Sequence, residues 1–125
     1  MATINSIKEF EDPNEVKVVI NKFNNAMYFS REPIPSRKKG SQQLSMLKQV
    51  CIIPFRRNYL IKFNDTPETS TEIIESVDMM RIIENGEKVR MVMTQENSYS
   101  VDTKEDLSRV EKIMRNDELM KKYLK

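Results

Sequence analysis

At 125 residues, 38% hydrophobic and 32% charged, the chain has the length of one domain and can bury roughly two-thirds of its unfolded surface. Its 21 Lys+Arg against 19 Asp+Glu leave a formal charge of +2, so no long-range field steers it onto nucleic acid or an anionic membrane. With no histidine and one cysteine, Ser-His-Asp, Cys-His and HExxH chemistry are excluded, as is an internal disulfide.

Residues 2–10 set Thr3 and Asn5 against Ile4 and Ile7, which predicts a strand before the acidic turn Glu11-Asp12-Pro13-Asn14. Val16-Lys17-Val18-Val19-Ile20 is β-branched and is followed by Asn21, Asn24 and Asn25, then by Ala26-Met27-Tyr28-Phe29. That pair reads as a hairpin. Residues 30–40 carry Pro33, Pro35 and the basic cluster Arg37-Lys38-Lys39, so they read as a solvated surface loop. Val50-Cys51-Ile52-Ile53 is a short apolar run of the kind buried on both faces of a sheet, with Pro54 ending its ladder and Cys51 an inert buried thiol.

A short helix is expected over residues 55–63. Ser70 can cap the next, on which Ile73, Val77, Met80 and Ile82 or Ile83 fall at helical spacing, and Asn85-Gly86 stops it. Glu72 and Glu75 stand one turn apart on the polar face of that helix. Val89, Met91 and Met93 alternate with Arg90 and Val92 as a strand. Asp102 or Thr103 then caps a last helix with Leu107, Val110, Ile113 and Met114 on its inner face; residues 115–125 continue it or fray. The order is a mixed α/β pattern without a full set of βαβ units, as in part of a larger sheet.

No apolar run approaches the roughly 20 residues of a membrane span, and Met1-Ala2-Thr3-Ile4-Asn5 lacks the features of a signal peptide. The expected setting is the cytoplasm, with neither nucleic acid nor membrane as partner. Gly40 and Gly86 are the only glycines and stand far apart, which rules out a glycine-rich phosphate loop within this sequence.

Five segments in register resemble the CMP-Kdo synthetases, the 3-deoxy-manno-octulosonate cytidylyltransferases. They are Asp12-Pro13-Asn14 with Val16-Lys17-Val18-Val19; Ala26-Met27-Tyr28-Phe29-Ser30-Arg31 with Ile34-Pro35; and Lys48-Gln49-Val50-Cys51-Ile52-Ile53-Pro54-Phe55-Arg56-Arg57. Glu72-Ile73-Ile74-Glu75-Ser76-Val77-Asp78-Met79-Met80-Arg81 with Glu84-Asn85-Gly86, and Ser100-Val101-Asp102-Thr103-Lys104-Glu105-Asp106-Leu107, complete the set. The resemblance implies an α/β fold, the mixed-sheet C-terminal portion of a Rossmann-like, glycosyltransferase-A-like nucleotidyltransferase. It also implies that the family's nucleotide loop and its Gln-Gly-Asp type motif lie outside this sequence, leaving the sugar-binding and dimerising portion.

The implied reaction joins the anomeric oxygen of a 3-deoxy-ulosonic acid to the α-phosphorus of CTP, for lipopolysaccharide or surface polysaccharide synthesis. Mg2+ is the implied cofactor, and a homodimer the implied assembly, built in part by residues 50–53 and the neighbouring hairpin. Asp102 resembles the family's second magnesium-binding carboxylate; from the residues alone it is a helix cap, with Glu105 completing a capping box, and both roles are compatible. Arg31 resembles the arginine that pairs with the ulosonate carboxylate, a job suited to a bidentate fork; without the resemblance it is an exposed loop arginine. Gln49 and Asp78 occupy sugar-contacting positions at which better-known members carry His and Glu. Ile53 and Met79 stand where those members have Tyr and Gln, and read equally well as core. A non-catalytic binding or dimerisation module is the alternative.

Overall fold

In the computed structural model, which describes residues 1–38, 45–95 and 98–123, the first element is β1 (Ala2–Thr3), much shorter than the strand expected over residues 2–10. Helix α1 (Ile7–Glu11) takes over the rest of that stretch. Its cause is local: Ser6 Oγ accepts the Glu9 N–H at 3.1 Å, and the Glu9 carboxylate accepts the Asn5 N–H at 3.0 Å. This is a variant of the reciprocal cap that a Ser-x-x-Glu spacing offers, and it outweighs weak alternation.

The expected hairpin forms from β2 (Lys17–Ile20) and β3 (Ala26–Ser30), paired antiparallel with Val18 opposite Phe29 and Lys17 opposite Ser30. Asn24 makes the turn possible by taking φ 58°, a left-handed conformation that asparagine tolerates. β4 (Leu47–Lys48) pairs with both β1 and β2, so the described residues form a four-stranded sheet in the order β1-β4-β2-β3. The loop after β3 is as expected where described, while Lys39 and Gly40 lie outside the described residues.

The run from Val50 to Ile53 is not a buried strand. Ile52 donates its N–H to the Val50 carbonyl at 2.8 Å, a turn too tight for a ladder; its side chain is 83% exposed and Cys51 is exposed as well. Only Ile53 packs against the core. Helix α2 (Arg57–Asp65) follows, close to the expected position.

The single helix expected after Ser70 is two, α3 (Ser70–Glu75) and α4 (Met79–Glu84). Thr69, one residue earlier than expected, is the N-cap, and Ser76 ends α3 in the left-handed region with φ 52°. The break rotates the second helix so that Val77, Met79, Met80 and Ile82 are buried while Ile73 and Ile74 are left exposed. Gly86, at φ 76°, closes α4 by donating to the Ile83 carbonyl at 2.9 Å. α4 packs on β3, and the core gathers Phe29, Val18, Leu47, Met1, Met91 and the buried face of α4.

Residues 89–94 form an extended connector instead of a regular strand. Ala26 donates to the Val89 carbonyl at 2.9 Å and Met91 to that of Asn24 at 2.8 Å, an antiparallel extension beside β3. The Met1 amino group then donates to the Val92 carbonyl at 2.7 Å, and Thr94 N–H to that of Met1 at 2.9 Å. This is the bond pattern of a parallel bridge between Met1 and Met93, so antiparallel and parallel neighbours meet along one short segment.

Helix α5 (Lys104–Met114) is capped by Thr103, whose Oγ1 accepts the Asp106 N–H at 3.1 Å while Asp106 accepts the Thr103 N–H at 3.1 Å. The box is therefore Thr103 with Asp106, not Asp102 with Glu105. Leu107, Ile113 and Met114 are exposed, not turned inward as expected. A separate short helix, α6 (Glu118–Tyr123), follows.

Candidate functional site

Arg31 and Gln49, two of the four site residues read from the sequence, stand at one end of the sheet, and Asp78 follows two residues after Ser76, whose carbonyl Arg31 bonds. Beyond the β2–β3 pair of Lys17 and Ser30, the same register sets Val16 beside Arg31. On the other side of β2, Gln49 donates its N–H to the Val16 carbonyl at 2.8 Å, continuing the pairing of Lys17 with Lys48. Arg31 and Gln49 thus flank one residue, two strand spacings or about 10 Å apart. The α3–α4 junction, which carries Asp78, closes on Arg31 from the remaining side.

That junction holds Arg31 closely. The Arg31 Nε–H donates to the Glu75 carbonyl at 2.9 Å, Nη2 to the Ser76 carbonyl at 3.1 Å and Nη1 to the Pro13 carbonyl at 2.9 Å. The Glu75 carboxylate in turn accepts from the Arg31 N–H at 3.0 Å, from Ser30 Oγ at 3.0 Å and from the Tyr28 hydroxyl at 3.1 Å. Burial and the Glu75 charge together hold the Tyr28 hydroxyl above its ordinary pKa. Glu75 also covers a strand edge, since two outward N–H groups at the end of β3 are met by side chains: Arg31, just past it, by Glu75, and Phe29 by the Met80 sulfur at 3.4 Å. A plain polar-face glutamate, as the helical spacing suggested, it is not.

Beneath this end of the sheet lie two buried lysines. Lys17 is wholly buried, and its Nζ donates to the carbonyls of Asp12 at 2.8 Å, Glu15 at 2.7 Å and Arg31. Burial pushes its pKa down, and the three carbonyl dipoles stand in for the water an ammonium would otherwise have. Lys48, directly opposite in register, is bridged to Glu9 at 2.8 Å and Glu15 at 3.1 Å. Burial pulls the Lys48 pKa down, but its two carboxylate partners prevail and hold it above the ordinary value. Like charges facing across a ladder normally repel; here acceptors enclose each one.

A second brace lies behind the junction. Glu72 is buried and paired with Arg81 through two bonds of 2.5 and 2.7 Å. Arg81 also donates to the Phe63 and Thr66 carbonyls at 3.2 and 2.8 Å and lies over the Phe63 ring, joining α2, α3 and α4. The Arg81 guanidinium keeps the Glu72 carboxyl below its usual range. The sequence read Glu72 as a polar-face residue, but one helical turn says nothing of an arginine nine residues on.

The remaining candidates are less constrained. Gln49 Oε1 is buried with no hydrogen-bond partner among the described residues. Asp78 is the residue before α4, exposed, with no side-chain cap bond. Met79 is buried in the core and Ile53 packs against it, so the core reading of both holds. Asp102 is exposed ahead of the α5 cap, and no described residue bonds its carboxylate to the Arg31 cluster. Among the described residues no three Asp, Glu or Cys side chains are grouped as a metal site, and no helix is long and apolar enough to cross a membrane.

Comparison with known proteins adds a family to this geometry. A family model described as cytidylyltransferase matches residues 1–89. The 3-deoxy-manno-octulosonate cytidylyltransferase of Christiangramia forsetii is 37% identical over 106 residues, covering 85% of this chain and 43% of the relative. That of Fusobacterium nucleatum is 37% identical over 103 residues, covering 82% and 42%. A solved structure of CMP:2-keto-3-deoxy-manno-octonic acid synthetase complexed with CTP superposes with a TM-score of 0.78 at 33% identity, over 91% of this chain and 48% of that one. The chain spans less than half the length of these relatives. Shared sequence over most of its length and a shared mixed α/β fold together establish that this chain belongs to the cytidylyltransferase family.

Proposed function

We propose that the chain is the sugar-acid-binding portion of a cytidylyltransferase that converts a 3-deoxy-ulosonic acid, Kdo or a close relative, into its CMP derivative. In that reaction the anomeric oxygen bonds to the α-phosphorus of CTP, the bond from that phosphorus to the bridging oxygen breaks, and pyrophosphate leaves. Catalysis of this kind rests on positioning and charge neutralisation. The nucleotide cradle belongs to the half of the relatives that this chain does not span.

The observation that carries the reading is that Arg31 and Gln49 flank Val16 at one end of the sheet, with Arg31 bonded to the α3–α4 junction two residues before Asp78, in a chain of this family. A guanidinium has five N–H donors, and three of those on Arg31 are taken by carbonyls. The two left, one on each terminal nitrogen, match the number a bidentate carboxylate requires. Gln49 Oε1 has an unmet acceptor, an arrangement that costs about 1–3 kcal/mol and that a substrate hydroxyl reaching it would relieve. Asp78 offers a carboxylate that its own helix does not use.

Asp102 fits Mg2+ as a single oxygen ligand. Its carboxylate is exposed and uncommitted because Thr103 and Asp106 cap α5 without it, and magnesium is ordinarily held by one or two carboxylates together with substrate phosphates. When bound, the ion supplies charge neutralisation at the triphosphate. The exposed Ile52 surface is the proposed homodimer contact, and the cytoplasm the proposed site of action. A second reading, a non-catalytic binding or dimerisation module, is favoured by the uncovered apolar face of α5.

Pyrophosphate release from CTP and Kdo, measured with and without a separately expressed amino-terminal cytidylyltransferase half, separates these readings. Activity only in the mixture supports the first. Full activity from the 125 residues alone overturns the assignment of the nucleotide cradle to the half of the relatives that this chain does not span. Absence of activity and of Kdo binding in both leaves the non-catalytic module.

A further inference from the structure

Arg31 is pinned at three separate points before any ligand arrives. Its backbone N–H goes to the Glu75 carboxylate at 3.0 Å, its Nε–H to the Glu75 carbonyl at 2.9 Å, and its own carbonyl accepts from the buried Lys17 ammonium. We infer that Glu75 and Lys17 are positioning residues for Arg31, fixing its guanidinium in the orientation that receives a planar carboxylate. The inference rests on the carboxylate-binding reading of Arg31 given above.

The chemistry of each brace is specific. Every group facing the Glu75 carboxylate is a donor: the Arg31 N–H, the Ser30 hydroxyl and the Tyr28 hydroxyl. A carboxylate accepts from all three at once, whereas an amide has one acceptor oxygen and its NH2 is met only if a hydroxyl turns round to accept, a role Ser30 Oγ already fills for the Glu32 N–H at 3.0 Å. Lys17 is the converse case, three donors meeting the three carbonyls of Asp12, Glu15 and Arg31, with no carboxylate in contact. Both anchors are remote in sequence from each other, so Arg31 is held between the loop before β2 and the α3–α4 junction. An arginine held in this way has already lost the rotamer freedom that binding would otherwise remove. Neither Glu75 nor Lys17 need touch the substrate; both act through Arg31.

The test is arginine side-chain NMR on the full 15N-labelled chain. Loss of one Nε–H signal in Arg31→Lys assigns Arg31, and Arg81, fixed independently by Glu72 and the Phe63 ring, reports the integrity of the fold. In Glu75→Gln and in Lys17→Met, the Arg31 Nε–H is expected to move toward the position of the exposed Arg56 and Arg57 and to exchange with water at least about tenfold faster, with the Arg81 signal unmoved. An Arg31 signal at its wild-type position in either variant overturns the role of that residue. Collapse of the Arg31 and Arg81 signals together in Glu75→Gln, which removes no apolar contact, overturns positioning in favour of a merely structural role, even if Lys17→Met does not fold.

Titration with Kdo supplies the second arm. Affinity read at the Arg31 signal is expected to fall about tenfold or more in both variants and to vanish in Arg31→Lys. Equal affinity in wild type and variants overturns the inference. A wild-type Arg31 that is locked yet does not respond to Kdo refutes the carboxylate reading while leaving the brace in place.

Discussion

Replacing Lys48 by methionine tests the buried charge cluster on which the sheet end stands. The Lys48 side chain is 7% exposed, and its ammonium lies 2.8 Å from Glu9 and 3.1 Å from Glu15, whose side chains are 24% and 19% exposed. Removing one partner from a fully buried ion pair costs about 3–5 kcal/mol. Because both carboxylates retain some water, the expected loss near neutral pH is smaller, about 2–3 kcal/mol. With about 2.1 cal/mol/K of unfolding entropy per residue over the 125-residue chain, that corresponds to roughly 8–12 °C in melting temperature. Burial pushes the Glu9 carboxyl up, but its bonds to Lys48 and to backbone N–H groups prevail and hold it below 4.5. Its contribution is therefore present above 4.5 and lost as pH falls through the lower folded value. In Lys48→Met the stranded Glu9 carboxylate gains by protonation, so the gap to wild type narrows in acid. Lys48, held above 10.5, contributes fully below that value and loses its share as pH rises through the folded one. Urea unfolding followed by circular dichroism at neutral and acid pH measures the difference. A variant with the wild-type midpoint, or a deficit that does not change with pH, would refute the reasoning, and adding Glu9→Gln with Glu15→Gln should recover most of the loss.

Phe29, fully buried between the sheet and α4, should cost about 3–5 kcal/mol on replacement by alanine, read as a shift in the urea midpoint with an unchanged slope. Thr103→Ala should remove about 1 kcal/mol from the start of α5, visible as faster amide exchange at Leu107, whose N–H bonds the Thr103 carbonyl at 3.1 Å. Asp102→Asn should leave that exchange unchanged, since its carboxylate takes no part in the cap, yet abolish magnesium-dependent pyrophosphate release in the complemented enzyme; frayed α5 in Asp102→Asn would count against the ligand role. Ser76→Val, forcing a β-branched residue to φ 52°, should destabilise by about 1–2 kcal/mol in the same urea assay.

The legible parts of the fold were those with short-range causes. The β-branched run around Val18, the asparagine turn and the run ending at Phe29 make the hairpin recognisable from composition alone, and Asn85-Gly86 announces the end of α4. Two failures were also local in origin: Ser6 with Glu9 carries a cap signal that nucleates α1, and Thr69 competes with Ser70 for the start of α3. Others were not local. Val50 to Ile53 has the composition of a buried strand, but β1 and β4 pair over only two positions, so no ladder extends far enough to receive it. Hydropathy reports what a segment can bury, not whether a partner is there.

The site divides along the same line. Sequence by itself determined the chemical types: an arginine after the hairpin, an amide after Lys48, carboxylates at positions 78 and 102, and the family to which that order belongs. Only the tertiary structure decided that Arg31 and Gln49 share one end of the sheet, that Arg31 bonds the α3–α4 junction just before Asp78 while Asp102 bonds to none of them, and that Glu75, 44 residues from Arg31, holds it by carboxylate and carbonyl together. The physical reason is that a carboxylate or an ammonium is defined chemically by its residue, but its partner is set by chain topology. Lys17 reads as an ordinary polar interruption of a β-branched strand until the fold encloses it with three carbonyls and excludes water.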